Sequence, residues 1–327
     1  MKNRLIILIC ILGLMIAITA CDQQSSEVDK IVFSLDWAPN TNHTGLYVAQ
    51  EKGYFEESGL EVEIVQPPED GAASLVASGK AQFGVDFQDI LAPAFASDEP
   101  LPVTAIAALL QHNTSGIISL KGNGIDTPGG MSNKTYATWD SPIEKAIIEL
   151  VVESDGGDYD SIEMVPSTVT DVVTALNTDI DAIWVYYGWD GIAAKVKGMD
   201  ADFFAFKDIE PVLDYYSPVL IANDEYIEEN EEQTRAFLQA VAKGYEYAIE
   251  NPEEAADILL GANPELDEEL VQESQRWLAV EYKAEVERWG YIDQNRWDAF
   301  YSWLYQGNLI EKEIPQGFGF TNDYLPE

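Results

Sequence analysis

SPVLIA, residues 217–222, is a short apolar run set between a long alternation of strands and helices and an almost wholly helical tail. A run of this length, opened by a Ser-Pro step, reads as a buried strand. Upstream of it, from Lys30 onward, Ile31, Phe33 and Leu35 recur at period two. A helical run follows to about Phe55, and Gly59 turns the chain into a strand over 61–65. Residues 71–78 are helical, Phe83-Gly84-Val85 is a buried strand, 87–96 a helix and 103–109 an apolar strand. That alternation predicts an open parallel sheet with helices on both faces.

A second unit repeats the plan without repeating the sequence. IISL, 117–120, reads as a strand, and Lys121-Gly122-Asn123-Gly124 breaks the pattern. Tyr136-Ala137-Thr138 is a strand, and Ser141-Pro142 opens a helix with proline at a favoured first position. Strands over 163–165, 181–185 and 203–206 then alternate with helices over 169–176 and 188–196. Beyond 222 the periodicity is helical over 231–250, 252–260, 267–282 and 293–306. An α/β unit, a second one, and a tail that returns to the first predict two lobes joined by crossings near 117–120 and 218–222. Residues 31–117 and 221–327 then form one lobe and 118–220 the other. Two lobes on a hinge make a cleft that traps a ligand.

The first twenty residues read as an export signal rather than as fold. Lys2 and Arg4 precede an apolar run over 5–18, too short and wrongly flanked to span a membrane comfortably. Ile18-Thr19-Ala20-Cys21 matches the lipoprotein cleavage pattern, so cleavage before Cys21, lipidation of its thiol and an extracytoplasmic, membrane-anchored protein are expected. Residues 21–30 form a polar tether. The chain has two cysteines, Cys10 and Cys21, so the exported domain has no disulfide, thiol nucleophile or cysteine metal site. The full chain carries 58 acidic against 18 basic residues, a formal net charge of -40, which repels nucleic acid and anionic lipid.

Enzyme signatures such as a P-loop, GxGxxG, HExxH, GxSxG or CxxC are absent from the sequence. What stands out is the set of strand-to-helix junctions, where open α/β sheets bind ligands. Asp36-Trp37-Ala38-Pro39-Asn40, Val85-Asp86-Phe87-Gln88-Asp89, Trp139-Asp140-Ser141-Pro142 and Trp184-Val185-Tyr186-Tyr187-Gly188-Trp189-Asp190 all hold a carboxylate, and three hold a tryptophan. The turn Gln111-His112-Asn113-Thr114-Ser115 adds polar groups beside a crossing. Indole and phenol faces stack on flat rings, and carboxylates accept from N–H donors at a ring edge. With no basic residue at a junction, such a cleft suits a flat, donor-rich nitrogen ring and suits a sulfonate, nitrate or phosphate poorly.

Each residue also has a plainer role open to it. Trp184 alternates with Ile183 and Val185 and packs as readily in a core. Asp86, Asp140 and Ser141 sit where helix N-caps sit. His43 fits a packed neutral imidazole, and with one other histidine in the chain it makes a poor metal ligand. Tyr186 and Tyr187 cannot both face one way along a strand. Trp277, Trp289, Trp297 and Trp303 in the tail read as core.

The block Asp36-Trp37-Ala38-Pro39-Asn40-Thr41-Asn42-His43-Thr44-Gly45-Leu46-Tyr47-Val48-Ala49, followed by Lys52-Gly53-Tyr54-Phe55, resembles the N-terminal signature of the thiamine-pyrimidine family. The resemblance continues through 71–89, 111–116, 184–191 and the tail tryptophans. That family includes solute-binding lipoproteins of ABC importers and fungal enzymes that make the thiamine pyrimidine. The resemblance implies a two-lobed type II periplasmic-binding fold and a monomer that hands a thiamine-pyrimidine precursor, N-formyl-4-amino-5-aminomethyl-2-methylpyrimidine, to a membrane permease and its ATPase for thiamine salvage, with no cofactor. It places Trp37 against the pyrimidine ring, Asn40 at its edge, Tyr187 on the opposite face and Asp190 as acceptor for the ring amino group. Relatives carry that acceptor as Glu a little further on, where this chain reads Gly191-Ile192-Ala193. His43, Asp86, Ser115, Asp140, Tyr186 and Trp189 complete the candidate contacts. The alternatives are a pyrimidine synthase, or capture of riboflavin or an alkylsulfonate. The fungal synthases use pyridoxal phosphate, a histidine of their own chain and a Cys-rich iron motif. His43 lies in a similar motif, but the matching cysteines are absent.

Overall fold

A computed structural model describes residues 29–167 and 171–327. The signal segment, Cys21 and the tether up to residue 28 lie outside the described residues, as does the start of the helix expected over 169–176; the last two tether residues, Asp29 and Lys30, instead open the first strand. Among the described residues ten strands form two five-stranded sheets. The first holds β1 (Asp29–Ser34), β2 (Leu60–Val65), β3 (Phe83–Asp86), β4 (Val103–Ala108) and, last, β10 (Val219–Asn223), in the order β2-β1-β3-β10-β4. The second holds β5 (Ser115–Leu120), β6 (Thr135–Thr138), β7 (Glu163–Pro166), β8 (Ala182–Tyr186) and β9 (Ala201–Ala205), in the order β7-β6-β8-β5-β9. The two orders are the same pattern, so the lobes share a topology that no sequence repeat announces.

Neither sheet is purely parallel, which corrects the expectation. β10 runs antiparallel to β3 and β4, and β5 runs antiparallel to β8 and β9. Each of these strands enters its sheet from the other lobe, and so against the direction that βαβ connections impose on the rest. The crossings also fall beside the expected strands rather than on them. The chain leaves the first sheet after Ala108 and joins the second at Ser115; it returns before Val219. Ser115 to Ile117 thus belong to the second sheet, and Val219 and Leu220 to the first, a shift of two or three residues from the expected border. Leu109 donates to the Pro218 carbonyl at 3.1 Å, and Asn113 donates from Nδ2 to the Leu213 carbonyl at 2.8 Å, so the two crossings are laced together.

The helical tail clasps the first lobe. Phe237, on the helix Glu231–Glu250, stacks on Phe83 of β3 at 4.1 Å and on Phe55 at 5.6 Å. The same helix meets Thr44–Glu51 at Gly244 and Gly45, where a Cβ on Gly244 would overlap the Gly45 carbonyl. Trp289 and Trp297 are fully buried, as read from the sequence. The helix Glu268–Glu281 spans the lobes: the Ser274 hydroxyl meets Thr41 Oγ1 at 2.5 Å and donates to the Gly188 carbonyl.

Candidate functional site

A cavity of about 400 Å³ opens between the lobes at the carboxyl ends of β1, β3, β6 and β8. The first lobe contributes Asp36, Asp86, Phe87 and Asp89; the second contributes Trp139, Trp184 and Tyr186. Strand period explains the second wall. Ile183 and Val185 turn into a core with Ile118, Ala137 and Ala194, so Trp184 and Tyr186 turn the other way. Trp184 is 4% exposed and packs on Phe206 at 4.3 Å and Trp139 at 5.4 Å. It is therefore both core and cavity wall, and its indole N–H has no hydrogen-bond partner. Tyr186 stacks across the cleft on Phe87, with ring centres 5.7 Å apart.

The acidic wall is built from local chain geometry. Asp86 closes β3 and accepts from the backbone N–H groups of Ala73 at 3.2 Å and Phe87 at 2.8 Å. Burial pushes its carboxyl up to about 7 despite those bonds, and the charges of Asp36 and Asp89 push the same way. Asp89, on the first turn of the helix Gln88–Phe95, is pushed up to about 6, again by burial, and one of its oxygens is buried without a partner. Asp36 accepts from His43 Nε2 at 2.6 Å. His43 Nδ1 accepts from the Asn40 N–H at 3.2 Å, which assigns the ring's proton to Nε2. His43 is therefore a fully buried brace for Asp36 and is not part of the cavity lining.

The other sequence candidates divide. Asp86 and Tyr186 line the cavity. Trp37 stands at its corner next to Asp36, 50% exposed and outside the lining. Asn40 is buried and engaged in capping: its Oδ1 accepts from Asn42 N–H at 2.9 Å and its Nδ2 donates to the Ala38 carbonyl. Ser115 is held in a turn on Asn113 Oδ1, beside the crossing. Asp140 adopts a left-handed backbone and pairs with Lys145 at the surface. Tyr187, expected on the opposite face of the ring, instead packs on Phe203 at 4.7 Å and Trp277 at 5.3 Å. Chain direction decides this: β8 ends at Tyr186, and a helical turn over Tyr187–Gly191 carries the next side chain to the other face. Asp190 and Trp189 line a separate cavity of about 330 Å³ with Lys197 and Asp267. Burial pushes the Asp190 carboxyl up to about 6 there.

Asp36, Phe87, Asp89, Trp139 and Trp184 are cavity residues not singled out as contacts from sequence. All lie in the four quoted junctions. The signal was the spacing: Asp86 ends a strand and Asp89 lies in the first turn of the helix that follows it, and Trp184 and Tyr186 share a strand face. Glu144 also lines the cavity, and it spends its carboxylate on Tyr136, Thr138, the Trp139 N–H and the Ser141 N–H.

Two five-stranded mixed sheets joined by two crossings, with a ligand-sized cleft at their strand ends, define the type II periplasmic-binding-protein fold. The alkanesulfonate-binding protein SsuA from Xanthomonas axonopodis pv. citri, solved bound to MOPS, superposes with a TM-score of 0.68 over 89% of this chain and 98% of its own, at 10% identity. The chain belongs to the NMT1/THI5-like family, whose model matches residues 40–255. It is 32% identical to the formylaminopyrimidine-binding protein of Halalkalibacterium halodurans, covering 93% of this chain and 92% of that one. It is 25% identical to the 4-amino-5-hydroxymethyl-2-methylpyrimidine phosphate synthase THI11 of Saccharomyces cerevisiae, covering 91% and 88%.

Proposed function

We propose that this chain captures an aminopyrimidine of the thiamine-precursor class in its interlobe cleft and delivers it to an ABC importer. The observation that carries the reading is the cavity wall. Aromatic faces from both lobes surround three aspartates, and no Lys or Arg is among the lining residues described. Flat faces favour a flat ring, and acceptors favour a ring that carries amino groups. A sulfonate in the same place would meet acceptors facing its own oxygens. The likeness to a formylaminopyrimidine-binding protein supports the same ligand class. Delivery through a permease and ATPase, by a monomer anchored through lipid on Cys21, is part of the same proposal, and the fold and the N-terminal sequence support it. Ligand would bridge the lobes and bias the hinge shut.

The synthase reading draws on the relatives that bear that name. His43, the histidine it would need, is buried with both ring nitrogens engaged, and this supports capture over conversion. Calorimetric titration with N-formyl-4-amino-5-aminomethyl-2-methylpyrimidine, its free amine, taurine and riboflavin tests the proposal. One-to-one binding of a pyrimidine, no heat from the other two, and unchanged ligand on chromatography is the expected result. Silence from both pyrimidines would overturn the ligand class, and a new product would overturn capture.

A further inference from the structure

The charge on the cavity wall selects more than a flat ring. Asp36, Asp86 and Asp89 face one space, and none of them meets a Lys or Arg there. Asp86 rests on the backbone N–H groups of Ala73 and Phe87, and Asp89 on those of its own residue and Ile90. Asp36 has His43, but that imidazole accepts at Nδ1 and so brings a donor without a charge. The other titratable groups around them offer no cation. Tyr186, Tyr215 and Tyr301 are phenols that burial holds protonated, Glu144 is committed to its own loop, and Asp190 is a further acid. Among the described residues no three acids or imidazoles are grouped as a metal ion requires, so the negative charge is spread along the wall. Beside it Trp184, 4% exposed, keeps an indole N–H without an acceptor.

Closing the lobes over a neutral ligand would seal those carboxylates away from water without compensation, which is costly. A cation placed among them offsets the charge, and the faces of Tyr186, Phe87 and Trp139 add cation–π attraction. A ring nitrogen would serve as acceptor for the Trp184 N–H. We infer that, within the capture reading above, the cleft takes its aminopyrimidine as a cation, preferring a 4-aminopyrimidine with a protonated aminomethyl group over the same ring with that amine formylated.

The preference has a proton signature. Burial pushes Asp86 up to about 7 and Asp89 up to about 6, so the empty cavity holds part of a proton near neutral pH. A cationic ligand displaces that proton and a neutral one does not. The test is calorimetric titration of the protein at about pH 7 with the amine and with its formamide, each in two buffers of different ionisation enthalpy. The expected result is binding of the amine at least about tenfold tighter than the formamide, with proton release. Equal or tighter binding of the formamide, or proton uptake with the amine, would overturn the inference while leaving the capture reading intact. Absence of binding by either would bring down both. Asp89→Asn, checked for folding by circular dichroism, should cut the amine-to-formamide affinity ratio about fivefold or more. Asp86→Asn is the second variant, and an unchanged ratio in a folded variant would count against the inference.

Discussion

Two adjacent tyrosines carry opposite duties. Tyr186 ends β8 on the cavity face and meets Phe87 across the cleft, while Tyr187 starts a helical turn and packs on Phe203 and Trp277. Tyr186→Ala should weaken pyrimidine binding by about tenfold or more, because a stacking face and its apolar area are lost together. Tyr187→Ala should instead lower stability by about 1–3 kcal/mol, read from thermal or denaturant melts, with a smaller effect on affinity. Reversed effects in titration and melting would return the stacking role to Tyr187. Trp37 is the other aromatic under test. It stands half exposed next to Asp36, and in the proposed capture it covers the ring when ligand bridges the lobes. Trp37→Ala should cost about tenfold in affinity, and unchanged affinity would remove it from the site.

At the level of elements, the sequence carried most of what is local. Periodicity and junction chemistry placed the strands and the tail helices, because both depend on neighbouring residues. Strand direction was not legible: β5 and β10 look like any apolar run, and only their arrival from the other lobe makes them antiparallel. Site membership was half legible for the same reason. The four junctions were visible, but which side chain of each reaches the cavity depends on contacts distant in sequence. Asp140 goes to Lys145, whereas Asp36 is turned into the cleft by His43. Helix packing shows the same limit. Nothing near Gly244 in sequence signals that its helix crosses Thr44–Glu51 at a second glycine, Gly45. Gly244→Ala would force the two backbones apart at the clasp between tail and first lobe. It should destabilise the protein by about 2–3 kcal/mol in denaturant melts, and a neutral result would mean the helices slide freely.

Across the whole molecule, the same groups tie stability to pH. Asp86 and Asp89 have folded-state values of about 7 and about 6 against an ordinary 3.8, so the folded protein holds their protons more tightly than the unfolded chain. Stability then falls as pH rises from about 4 to about 7, by a few kcal/mol, and stays low above that range. His112 acts at the hinge with the same sign. It joins Asp214 on the return crossing at 2.7 Å and Glu285 of the tail at 2.8 Å, and the Asp214 bond is first among the causes that raise its value above 6.5. Its contribution is complete below 6.5 and is lost as pH climbs through the raised value. Ligand-free protein should therefore melt at a lower temperature at about pH 8 than at about pH 5.5. Asp86→Asn should flatten the acidic part of that slope and His112→Gln the part above 6.5. Repulsion among the surface acids, growing as pH rises, would instead lower the melting temperature equally in all three proteins, so parallel melting curves would assign the pH dependence to the surface and not to the cleft and the crossings.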